Sequence, residues 1–375
     1  MSTIPSGISA QLGIAIESTY GTYAAPTKFV VFNNESIVQT IERIESPGIG
    51  RTTNVMSVDH WTPGQQENKG TIEIDVLTKG FNIIWEQMFG ASVTTQPGGA
   101  TATYDTTHTI TDLMGTSGTW QIGRPDSSST VQPFSYVGTK VTEWELSQAV
   151  NEFLKLTVTL DAKEEKTDQA LGASSYASGA KPLPFTGSTI TIDGNSYILR
   201  SVSIKGVNGA EEDRFQLGAA TKLEIIQEAH REITAEFELE FSSLVAYNLF
   251  RNAVSGSEVE VVIRFQAGTA IESSLFPFVR VTLPACRFDR GGPSVGGPER
   301  LIHTLTCKAL NDGTNEPITL VYRSTDSDTY PSDSSSLSPS VSPSLSASTS
   351  ESLSISVSPS LSPSASASLS PSPSA

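Results

Sequence analysis

The alternation of hydrophobic and polar residues changes period within one stretch of the chain and does so again further on. From Thr71 to Val76 the pattern alternates, with Ile72, Ile74 and Val76 on one face and Thr71, Glu73 and Asp75 on the other, which predicts a half-buried strand. From Phe81 the apolar positions fall at Phe81, Ile84, Trp85 and Met88, the spacing of an amphipathic helix, with Gly90 placed to end it. The switch recurs after Ile233. There Ala235, Phe237, Leu239 and Phe241 oppose Thr234, Glu236, Glu238 and Glu240, and a helix capped by Ser242 or Ser243 is expected to carry Leu244, Tyr247 and Phe250 up to Gly256. Glu73 and Asp75 reappear as Glu236 and Glu238 at one constant separation, which predicts an internal duplication.

Other strands are expected at Lys28 to Phe32, Ile37 to Ile44, Val259 to Phe265 and Pro317 to Arg323. Hairpins are expected from Tyr136 to Leu160, turning near Gln148 to Asn151, from Thr189 to Lys205 around Asp193-Gly194, and from Phe276 to Ala309. Ala91 to Gly118 shows little periodicity, with one strand expected near Thr107 to Leu113, and Thr119 to Gly123 reads as a short strand. Two long polar segments interrupt the pattern, Ser46 to Lys69 and Gly206 to His230. The first holds Met56, Val58 and Trp61, which a purely solvated loop does not need, so it reads as a contact loop. From Ser332 to Ser374 every even position is serine, alternating mostly with Pro, Leu, Ala and Val, a composition that predicts a disordered projection.

The expected organisation is an N-terminal arm (1–27), a first domain (28–165), a linker (166–185), a second domain (186–325) and a Ser/Pro-rich tail (326–375). The fold class is mainly β, with two tandem antiparallel sandwich or barrel domains, each with one short flanking helix.

Charge narrows the function. The 375 residues carry 40 Asp and Glu against 24 Lys and Arg, a net −16, which argues against a groove that grips nucleic acid. No apolar run reaches membrane-spanning length and Met1 to Ala10 lacks a signal pattern, so the protein is expected to be cytosolic when made, with no membrane partner. Cys286 and Cys307 read as buried, reduced thiols. Gly292 to Gly296 matches the G-x-S-x-G pattern with His303 nearby, but the residues beyond Pro298 alternate as a strand, whereas a nucleophile elbow needs a helix there. His60, His108, His230 and His303 lie in separate segments without metal-ligand spacing. No catalytic residue, cofactor or metal is therefore expected. What remains is the acidic strand face of Glu73, Asp75, Glu236, Glu238 and Glu240, which is either the solvated side of a sheet or the lining of a channel.

One resemblance bears on that choice. Leu12-Gly13-Ile14-Ala15, Glu17, Tyr20-Gly21-Thr22 and Ala25-Pro26 lead to Glu35-Ser36-Ile37, then to a long loop and a closing hairpin with Gly138 ahead of it and Asn151-Glu152 at its turn. Over about residues 11–325 this order resembles the tail tube proteins of long-tailed phages (siphophages). The resemblance implies stacked rings whose inner strands enclose a lumen through which double-stranded DNA passes without specific binding. It also implies partners in the tape measure, tail terminator and baseplate proteins, and a place in the virion tail after assembly in the host cytoplasm. Glu73, Asp75, Glu236, Glu238 and Glu240 would then face the lumen, and Met56, Val58 and Trp61 the next ring. Two tube domains per chain imply a trimeric ring with pseudo-sixfold symmetry. The alternatives are a baseplate hub or distal tail protein, or a carbohydrate-binding, adhesive β-sandwich with Trp61, Trp120 or Trp144 as an exposed sugar platform.

Overall fold

The computed structural model describes residues 6–48, 55–241, 244, 247–248, 251, 258–290, 297–298 and 301–328. The first half runs β1 (Gln11–Ile16), β2 (Lys28–Val30), β3 (Asn34–Glu35), β4 (Val38–Glu45), β5 (Trp61–Asp75), α1 (Asn82–Phe89), β6 (Gly90–Thr95), β7 (Tyr104–Ile110), β8 (Gly118–Pro125), β9 (Val131–Ala149) and β10 (Lys155–Ala162). After β11 (Glu164–Lys166) the second half follows with β12 (Thr189–Ile192), β13 (Asn195–Tyr197), β14 (Leu199–Val207), β15 (Glu232–Glu240), β16 (Val259–Gln266), β17 (Phe278–Arg290), β18 (Ile302–Ala309) and β19 (Thr319–Ser324). Leu244, Tyr247, Asn248 and Arg251 are helical. The proposed cap Ser242/Ser243, Phe250, the G-x-S-x-G segment and the serine-rich tail lie outside the described residues.

Pairing reveals one strand order used twice. In the first half it is β2-β1-β8-β9-β10-β5-β4, every neighbour antiparallel. In the second it is β13-β12-β16-β17-β18-β15-β14, again antiparallel throughout. The recurrence of Glu73 and Asp75 at Glu236 and Glu238 therefore coincides with β5 and β15 holding the same place in the two orders. The halves are joined edge to edge where β14 pairs with the end of β9, from Ser201 opposite Ala149 to Val207 opposite Glu143. A second seam pairs β19 with β7. One buried apolar cluster draws on both halves, from Leu12 and Trp85 to Phe237 and Tyr322, and the described residues belong to one compact unit.

Local chemistry explains the elements. Along β5 Ile72 and Ile74 are buried and Thr71, Glu73 and Asp75 are not, and β15 repeats this with Ala235, Phe237 and Leu239 inside. Gly90 stops α1 in the left-handed region at φ 96°, donating its N–H to the Glu86 carbonyl. Asp193 and Gly194, both at positive φ, make the tight turn between β12 and β13.

Four expectations differ from the structure. Residues 61–69 are not loop but the first part of β5, which pairs with β4 to form a long hairpin arm. The aperiodic region after α1 holds a hairpin, β6 with β7, rather than one strand. That hairpin packs on α1, so the helix expected to be amphipathic is buried all round, Asn82, Glu86 and Gln87 included. Gln87 Oε1 accepts from Trp120 Nε1 at 2.7 Å. Finally, β1 lies within the expected N-terminal arm, yet Leu12 and Ile14 are core residues.

Candidate functional site

Seven strands, β5-β10-β9-β14-β15-β18-β17, run side by side across both halves with one face buried and the other open to solvent. The buried face carries Ile72, Ile74, Leu156, Val158, Leu146, Ile204, Phe237, Leu239 and Leu305. Because side chains alternate along each strand, the intervening residues share the open face. All five acidic residues singled out from the pattern stand on it, Glu73 and Asp75 on β5 and Glu236, Glu238 and Glu240 on β15.

The register turns that face into rows. One row reads Glu73, Thr157, Glu145, Lys205, Thr234, Lys308, Arg287 across the seven strands. The next reads Asp75, Lys155, Ser147, Ser203, Glu236, Thr306. Sequence reasoning missed the rest of the surface: Glu143, Glu145 and Glu232 add carboxylates, while Lys155, Lys205, Lys308 and Arg287 interleave cations. Alternation on β9 could have flagged Glu143 and Glu145. Nothing local could have put Lys205 beside Glu145, because that neighbour is set by the joint between the halves.

Several carboxylates are held. Asn33 Nδ2 donates to Glu73 Oε1 at 3.3 Å and to Asp75 Oδ1 at 3.0 Å. Ser201 Oγ donates to Glu238 Oε2 at 3.0 Å and Arg200 lies 3.5 Å from Glu238 Oε1. Lys205 stands 3.5 Å from Glu145 and Lys308 donates to Glu232 at 2.7 Å. Exposed pairs such as these contribute little stability each, so they shape the surface rather than support the fold. Carboxylates still outnumber cations on this face.

The long segments lie at one end of the sheet. On the arm Trp61, at 42% exposure, stacks under Arg43 at 5.7 Å, and Met56, Val58 and Ile44 are exposed nearby. The second segment, 208–231, runs beside the arm, where the Gln66 N–H donates to the Ala220 carbonyl at 2.9 Å, and exposes Leu217 at its tip. Buried charges hold that segment down on the first half. Lys222 donates to both oxygens of Asp161 at 2.9 and 2.7 Å, both side chains buried, and Lys140 donates to Glu224 at 2.7 Å. Burial outweighs the Lys222 ammonium and lifts the Asp161 carboxyl to about 6. It also pulls the Lys140 ammonium below its ordinary value, against the Glu224 carboxylate.

For the sugar-platform alternative the structure gives a correction. Trp120 is 0% exposed and Trp144 5%, so only Trp61 reaches solvent. Cys286 and Cys307 are buried and unbridged. Among the described residues no group of three or more His, Cys, Asp or Glu is placed to hold a metal ion, and no helix is long and apolar enough to cross a membrane.

A family model described as phage tail tube protein matches residues 7–309, both halves and the joint between them. The chain belongs to the phage tail tube protein family. As a tail tube protein it is a structural component of a phage virion, from a family whose members self-assemble into a tube. A search among curated proteins returned no match.

Proposed function

We propose that this tail tube protein forms rings of three chains with pseudo-sixfold symmetry, stacked into a siphophage-type tube through which double-stranded DNA passes without specific binding. The observation that carries the reading is the repeated strand order with its internal joint. Inside the chain β14 lies against the end of β9. In the first half the place of β14 is taken by β4, and in the second half the place of β9 is taken by β17. Among the described residues β4 has a strand neighbour on one side only, and so does the end of β17 from Arg287 to Arg290. Unpaired edges of this kind accept an added strand. A second copy laying its β4 against that end of β17 repeats the internal joint between molecules, a head-to-tail contact that can close into a ring. Two tube domains per chain, 28–165 and 186–325 joined by 166–185, let three chains do the work of six.

In such a ring the open sheet face lines the bore. Its surplus of carboxylates, Glu73, Asp75, Glu236, Glu238 and Glu240 among them, repels DNA phosphates within a Debye length of about 8 Å and keeps the DNA from adhering. Lys155, Lys205 and Lys308 moderate the wall without reversing its sign. The arm with Met56, Val58 and Trp61 and the 208–231 segment stand together at one end of the sheet, which supports their seating against the next ring. Tape measure, terminator and baseplate partners, assembly in the host cytoplasm and the absence of catalysis belong to the same reading. Changing Glu73, Asp75, Glu236, Glu238 and Glu240 together to Lys tests the bore. Tubes should still form but retain DNA at low salt and slow its ejection; release at the unmodified rate would contradict the lumen assignment.

A further inference from the structure

A different sheet face, on β16, β17, β19 and β7, carries charge of the other sign. Arg264 stands directly opposite Arg280 in register, and Arg323 opposite Phe278. The three guanidinium carbons lie 4.3 Å (Arg264), 5.9 Å (Arg280) and 4.6 Å (Arg323) from the centroid of the Phe278 ring. Among the described residues a single carboxylate pairs with them. Asp105 takes Arg323 in a two-pronged pair, 2.6 Å on each side. Glu272, on the connection between β16 and β17, is spent elsewhere, accepting from the Thr101 and Ala102 N–H groups and the Thr101 hydroxyl. Arg264 Nε is buried without an acceptor among the described residues. Burial, with Arg323 and Arg280 close by, holds the Arg264 guanidinium below its ordinary value. Like charges directly opposite on a sheet destabilise it, and the visible return is the stacking of the three guanidinium groups on the Phe278 ring.

The first half shows what this position can hold. There the row β1-β8-β9-β11 reads Gly13, Gln121, Ser135, Lys166. In the second half the matching row β12-β16-β17-β19 reads Thr189, Arg264, Arg280, Val321. Gln121 and Ser135 are fully buried because the chain beyond β11 folds back over them. Gln121 Nε2 donates to the Ala170 carbonyl at 2.9 Å and Gln121 Oε1 accepts from the Gly172 N–H at 2.7 Å. The chain beyond β19 goes another way, Asp326 accepting from the Gly80 N–H and Asp328 pairing with Lys28. No described segment roofs the arginine pair.

We propose that Arg264 and Arg280 form a carboxylate-binding site that receives an acidic, extended segment of a second copy of this chain, in the place that Ala170 to Gly172 takes over Gln121. Guanidinium forks match carboxylates bidentately. A self-assembling chain of net charge −16 supplies such carboxylates at high local concentration. The inference rests on self-assembly within the family and is independent of ring size and of what the bore conducts.

The test is the full chain carrying Arg264→Gln and Arg280→Gln together, with Arg280→Gln alone as a second variant, since Arg280 is exposed and its loss leaves packing intact. Three readouts are taken at low salt: binding of poly-L-glutamate and of inorganic phosphate by calorimetry, and the protein concentration at which assembly begins, by sedimentation. Losing charged hydrogen bonds should weaken poly-L-glutamate binding by at least about tenfold and raise the assembly concentration by a similar factor, both differences fading at high salt. Melting temperature should hold or rise. Equal binding and assembly in the variants would overturn the site. Loss of inorganic phosphate binding in the variants with assembly unchanged would overturn the occupant, making the source a free anion.

Discussion

Between β4 and β5 the first half sends out an arm, whereas between β14 and β15 the second half sends a segment that folds back over its neighbour. Both leave from the same place in the same strand order. The arm is stabilised by its own ladder and leaves Met56, Val58 and Trp61 in solvent. The 208–231 segment makes almost no ladder and is anchored by side chains: Lys222 on Asp161, Glu224 on Lys140, and Tyr20 Oη donating to the Leu223 carbonyl at 3.1 Å. A buried ion pair contributes little net stability but is costly to break. The comparison teaches that the duplicated order carries the fold, while a few charged residues decide whether a segment is held down on the chain itself or stands out in solvent.

The sharpest way to break the comparison is Lys222→Met, which leaves the buried Asp161 carboxylate without its hydrogen-bonded partner and with only the half-exposed Lys69 ammonium 3.8 Å away. It should cost about 3–5 kcal/mol, read from denaturant unfolding. Adding Asp161→Leu should return stability to the original level or above it. If the single change costs under about 1 kcal/mol, the segment is not anchored through this pair.

A pH series sharpens the same point. Asp161 is raised in the folded chain to about 6 from 3.8, so the folded state binds its proton more tightly than the unfolded state does. Its contribution is therefore fully present below about pH 4 and is lost as pH rises through about 6, at most about 3 kcal/mol. Stability of the original chain relative to the Asp161→Leu, Lys222→Met variant should fall between pH 4 and pH 6.5. A flat difference would contradict the assignment.

At the joint, a Cβ on Gly206 would meet the Trp144 ring at 2.2 Å, so Gly206→Ala should cost about 1–3 kcal/mol by overpacking. The chain should still melt in one transition, because both halves share one core; two separate transitions would show that the halves fold independently. The smallest effect belongs to the arm. Changing Met56, Val58 and Trp61 together to Ser should move stability by only about 0.5 kcal/mol while stopping tube elongation. Tubes of normal length would show that the arm faces nothing.

How much of this was legible depends on the range of the interaction. The buried and open faces of β5 and β15 followed from alternation alone, and the end of α1 followed from the helical spacing of Phe81 to Met88 and the glycine at Gly90. The first part of β5 was not legible, because Pro63, Gly64 and the polar run after them look like loop. As part of an arm the strand tolerates them, and Pro63 sits opposite Arg43 at a shift in register. The hairpin over α1 was missed because Ala91, Ser92 and Val93 mix small and apolar residues without a period. The acidic residues of the candidate face were readable strand by strand. Lys205 and Lys308 were not, since their neighbours are fixed by pairing between distant segments. Arg264 and Arg280 gave no local signal either, as only the comparison of matching rows exposes them.

The central claim is that the internal joint between β9 and β14 is repeated between molecules by β17 and β4, so that three chains close a ring. Native mass spectrometry of the smallest assembled species, with microscopy of the same sample, tests it most directly. The account predicts a mass of three chains and a ring with approximate sixfold symmetry. A ring of six chains, or a chain that stays monomeric at every concentration tried, would contradict it.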